Sequence, residues 1–71
     1  MTTESILTVL IADIDDKIKA HEERYQRYQN KGLPNMAASE HGAAIALIHV
    51  KAKLEVKLIV IEQIKQSKGD M

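Results

Sequence analysis

The residues best equipped for chemistry gather in one stretch, HEERYQRYQNKGLPN, residues 21 to 35. His21 begins HEERY, which starts like the zinc motif HExxH but carries Tyr25 where the second histidine must stand, so that motif fails. His21, His41 and His49 could approach one another, or a carboxylate such as Glu40, but a histidine at a packing position is more often simply hydrogen-bonded, and no metal or cofactor is expected. Asp13, Asp15 and Asp16 supply carboxylates without the Glu-x-x-His pairs a di-iron bundle needs. Ser5, Ser39 and Ser67 have no recognisable base, and there is no glycine-rich phosphate loop, so catalysis is not expected. What remains is a binding constellation. Arg24, Arg27 and Lys31 flank Tyr25 and Tyr28, offering forked donors for phosphate and flat rings for a base. The structural alternative is that both tyrosines fill space and that Glu23 and Arg27 form an ordinary i,i+4 pair.

Those side chains must be held by helices. Leu7, Ile11, Ile14, Ile18, His21, Tyr25 and Tyr28 are spaced 4-3-4-3-4-3, the seam of a heptad repeat, and predict helix 1 over about 3–31. Thr2 or Thr3 caps its start, with Glu4 well placed against the helix dipole. Gly32 suits the left-handed position after the helix, Leu33 folds back on Tyr28, and Pro34 stops continuation. With the turn at 32–35 and Asn35 as cap, helix 2 is expected over about 36–68, with Gly42 marking a close backbone approach. So short a link makes neighbours antiparallel, and the fold class is all-α: one two-helix hairpin domain over 1–71, about 45 Å long. The alanines at 37, 38, 43 and 44 leave room for the tyrosines opposite them.

Helix 2 is apolar on two faces. Ala43, Leu47, Val50, Leu54, Leu58 and Ile61 make one stripe; Ile45, Ile48, Ala52, Val56 and Ile59 make a second on the far side, with polar seams of Lys51, Glu55, Glu62 and of His49, Lys53, Lys57 between them. Helix 1 covers only one stripe. Leaving the other in water forgoes several kcal/mol at about 25 cal/mol per Å², comparable to the stability of a small domain. A homo-oligomer is therefore expected, most simply a dimeric four-helix bundle or else a higher ring of hairpins, with Ile6 and Leu10 widening the contact; the alternative is a monomer whose second stripe binds a different protein.

Composition narrows the remaining classes. Seventy-one residues allow one small domain that needs help to be stable, and the absence of cysteine removes disulfides and thiolate chemistry. Lys plus Arg and Asp plus Glu balance at 10 each, so duplex nucleic acid and anionic membrane are not expected partners. No apolar run approaches the roughly 20 residues of a membrane span, and no signal-peptide pattern opens the chain, so a cytoplasmic protein is expected.

The pattern IDDKIKAHEERYQRYQNKG followed by HGAAIALIHVKAKLE resembles the short helical-hairpin proteins carried by bacteriophages and prophages. That resemblance implies a non-enzymatic factor that binds a host protein in counter-defence or regulation, in the cytoplasm of the bacterial host. Its alternative implication is an oligomeric sponge that sequesters a cyclic nucleotide immune signal or another phosphorylated small ligand.

Overall fold

The computed structural model describes residues 2–69; residues 1, 70 and 71, which the single-domain expectation includes, lie outside them. Within the described residues the chain is two helices and no strand, α1 Thr3–Asn30 and α2 Pro34–Gly69. Thr2 caps α1, its hydroxyl accepting from the Ser5 N–H at 3.1 Å. At the other end Gly32 takes the expected left-handed backbone, φ 71°. Its N–H donates to the Gln29 carbonyl at 3.1 Å and the Leu33 N–H to the Tyr28 carbonyl at 2.9 Å. This paired arrangement satisfies two carbonyls that the helix end would otherwise leave open.

The turn is tighter than its sequence suggests. Pro34 is the first residue of α2, where a missing N–H costs nothing, and the Leu33 carbonyl accepts the first helical bond, from Ala37 at 3.0 Å. Asn35 therefore lies inside the first turn of α2 and does not cap it. The molecule is also longer than 45 Å: it measures 60 × 18 × 12 Å. At about 1.5 Å per residue, the 36-residue α2 alone spans most of that length and outreaches the 28-residue α1.

Three cross-hairpin pairs fix the antiparallel register. Glu4 meets Lys65, Asp15 meets Lys51, and His21 meets Glu40, the partner number falling as the first rises. Helix 1 presents its seam as expected, with Leu7 and Ile18 buried. Helix 2 turns a slightly different face inward. Ala37 and Ala44 are buried, and Glu40, Leu47, Lys51, Leu54, Leu58 and Ile61 are half-buried, an unbroken 3-4 spacing. Val50, expected in this stripe, is 45 % exposed, and Lys51, expected in a polar seam, takes the inward position. The reason is the heptad period: 47 to 51 to 54 keeps step with helix 1, whereas 50 falls on its edge. Gly42 makes no close approach, since an added Cβ would meet nothing within 4 Å.

Candidate interaction surface

Near the turn the inward face is polar and self-satisfied. His21 Nδ1 lies 2.5 Å from Glu40 Oε2, and Arg24 Nε donates to Glu40 Oε1 at 3.1 Å. An ionised carboxylate can only accept, so in this contact the imidazole proton sits on Nδ1, leaving that nitrogen no lone pair for Arg24 Nη2, which stands 3.0 Å away. The hydrogen bond from His21 first, and that from Arg24 second, hold the Glu40 carboxyl below its ordinary range against the opposing effect of desolvation. One helical stretch further on, Lys51 Nζ donates to Asp15 Oδ1 at 2.8 Å, and Lys19 reaches Oδ2 at 3.3 Å. Lys51 foremost, then Lys19, lower the Asp15 carboxyl, and the same bond raises the Lys51 ammonium. Both clusters are filled by the chain's own groups.

Two of the five candidate ligand residues have partners within the hairpin. Arg24 is engaged with Glu40. Tyr25 tilts against His41, ring centroids 5.2 Å apart, and its hydroxyl accepts from Gln29 Nε2 at 3.0 Å. Tyr28 is half-buried, while Arg27 and Lys31 are exposed. An open groove of about 450 Å³ beside Tyr25 is lined by Lys19, Glu22, Glu23, Tyr25, Gln26 and His41. Two carboxylates against one ammonium make a poor reception for phosphate. Among the described residues no group of three or more histidines and carboxylates could hold a metal ion. His21 and Glu40 do meet, whereas His41 is taken up by Tyr25 and His49 is exposed.

The other candidate surface is apolar. Ile45, Ile48, Val56 and Ile59 are 41 %, 43 %, 59 % and 53 % exposed, and Ala52 is exposed among them. At about 100° per residue they point away from the Leu47–Leu54–Leu58 line that meets helix 1. Ile6 and Leu10 are exposed as well, but they sit on the flank of helix 1 rather than on this outer face. A groove of about 340 Å³ lined by Thr3, Leu7, Val56, Lys57, Val60 and Ile61 connects the two regions. Val60 and Ile64, also exposed, extend the apolar surface at the open end of the hairpin, where the sequence sets Ile6 to Ile11 opposite Val56 to Ile64. Their signal in the sequence was the run LIVIEQI itself, apolar all round.

Compared with protein-family models, with curated proteins and with solved structures, the chain matches none.

Proposed function

We propose that this chain is a non-catalytic binding protein that works as a homo-oligomer, its hairpins joined through the outer face of α2, and that the assembly acts on a host protein. The observation that carries this reading is the imbalance of burial: among the described residues the fully buried hydrophobic ones are Leu7, Ile18, Ala37 and Ala44, while Ile45, Ile48, Val56 and Ile59 are exposed. Two of the four buried residues are alanines, and the rest of the seam is half-buried, little apolar area to offset the ordering of two long helices. The accessible surface, 5381 Å², compares with roughly 4,400 Å² for a compact chain of this mass. The excess is on the scale of what one partner contributes to a standard interface. No helix of the described residues is long and apolar enough to cross a membrane, so a lipid bilayer does not account for the exposed face through a spanning helix.

Protein binding is favoured over the sequestration of a cyclic nucleotide because Arg24 is paired with Glu40 and the groove at Tyr25 carries Glu22 and Glu23. Native mass spectrometry tests both readings at once. Multiples of 8.0 kDa without added mass are expected; retained nucleotide-sized mass would reverse the preference, and a monomer would overturn self-association. Ile48→Glu should reduce the assembly to single chains while helicity in circular dichroism persists.

A further inference from the structure

We infer that the second copy docks parallel to the first, the outer faces of the two α2 helices packed together with both turns at the same end. This rests on the self-association proposed above and adds its direction. The apolar stripe from Ile45 to Ile59 is centred on Ala52, whose small side chain lets two helices approach closely. Its two edges carry opposite charge. At about 100° per residue, Glu55 and Glu62 lie along one edge of the stripe, and Lys53 along the other. All three are exposed, and none forms an ion pair among the described residues, in contrast to Asp15, Glu40 and Lys51 on the inner face. Glu55 acts on Lys51 through its charge without an ion-pair contact, so no contact within the hairpin fixes these three groups.

Symmetry decides how they meet. When two identical helices pack parallel about a two-fold axis along their length, the acidic edge of each faces the basic edge of its mate, and the favourable contact occurs twice. When they pack antiparallel, the axis is perpendicular and each edge faces its own copy. Lys53 stands next to the middle of the stripe, so an antiparallel pair sets Lys53 within a helical turn of Lys53 of the second chain, like charge against like. The apolar stripe alone is indifferent between the two arrangements, and its charged edges choose the parallel one.

The absence of cysteine makes the test direct, since a single introduced cysteine takes a single spin label. Ser39→Cys and Gln66→Cys, both exposed positions, label the two ends of α2 in separate samples of the full chain. In the parallel pair both label-to-label distances fall below about 30 Å, the separation of neighbouring helices plus two label arms, which at Ser39 point away from the partner. In an antiparallel pair centred on Ala52 both exceed about 35 Å, from the rise of 1.5 Å per residue, which would overturn the parallel inference while leaving self-association intact. Mass of a single chain with no dipolar coupling would overturn self-association itself. Lys53→Glu supplies an independent readout at an exposed site. It should weaken association roughly fivefold, with recovery in the Lys53→Glu, Glu55→Lys double variant, whereas unchanged association of the single variant together with tighter association of Lys53→Gln would mark an antiparallel pair, in which position 53 faces its own copy.

Discussion

The half of the hairpin next to the turn and the half at its open end solve the same packing problem with opposite means. At the turn the helices come together on alanine, Ala37 and Ala44 being only 1 % and 3 % exposed, and are cross-linked by the His21–Glu40–Arg24 cluster. At the open end larger side chains are available, yet Ile6, Leu10, Val60 and Ile64 remain 43–50 % exposed. Small residues opposite large ones let two helices close on each other; large residues on several faces of both helices need more neighbours than one hairpin supplies. Between the helices the turn half thus closes within one chain, leaving only its outer stripe at Ile45 and Ile48 for a partner, and the open half leaves large residues exposed on further faces as well.

The largest expected effect comes from deepening the deficit at the open end. Leu7 is one of two large buried side chains among the described residues, and Leu7→Ala should cost about 2–4 kcal/mol in chemical denaturation. Because that loss falls in the half that depends on a partner, its midpoint should also become more sensitive to protein concentration than that of the parent. Next in size is the converse change at the turn. Ala44→Leu forces a branched side chain into the closest part of the hairpin and should cost about 1–3 kcal/mol. It should do so equally at low and high protein concentration. If the two variants respond alike to concentration, the division into a self-sufficient half and a dependent half is wrong.

Smaller effects distinguish the two glycines. Gly32 holds φ at 71°, so Gly32→Ala should destabilise by about 1 kcal/mol, the penalty of a left-handed conformation for a residue with a Cβ. Gly42 lies in an ordinary helical conformation with open space around it, and Gly42→Ala should stabilise by about 0.5–1 kcal/mol in thermal denaturation.

The contrast between those glycines also marks what was legible in the sequence. Gly32 was readable because a Gly-Leu-Pro run after a heptad pattern has few meanings, and the 4-3 spacing of helix 1 was carried by aliphatic and aromatic residues throughout. Gly42 was misread because a helical glycine tells of space without saying whether anything fills it. The inner face of helix 2 departs from its apolar stripe at Val50 and Lys51 for a related reason: the period shared with helix 1, and not residue type, sets which side chains point inward. The spacing 37, 40, 44, 47, 51, 54, 58, 61 is unbroken only if Glu40 and Lys51 are accepted as inward residues. Each finds an opposite charge across the hairpin, which single-helix patterns do not reveal. The engagement of one candidate ligand residue was hidden for the same cause. Arg24 looked free beside Tyr25, but its partner Glu40 comes from the other helix.

The smallest effect tests whether these inward polar pairs contribute to stability or only set register. Glu40 and Asp15 both hold their carboxyls below the ordinary range, so the folded chain binds those protons less readily than the unfolded one. Their contribution is present above the ordinary carboxylate values near pH 4 and is lost as pH falls through the lowered ones. Lys51 is shifted upward from 10.5, so its contribution is present below that value and is lost as pH rises past the raised one. Stability attributable to these groups should therefore form a plateau from about pH 5 to about pH 10, with a decline on each side. Denaturant midpoints measured across that range separate the two halves again. Glu40→Gln should shallow the acid decline alone, because it removes the titrating group next to the turn. Lys51→Met should shallow both declines, because it removes the ammonium and releases Asp15 together. Since these side chains are only partly shielded from solvent, added salt should shrink both declines. A parent profile that is flat from pH 3 to 11 would leave Glu40 and Lys51 as register markers, holding Ala37 and Ala44 opposite the right turns of helix 1 without adding to the free energy of folding.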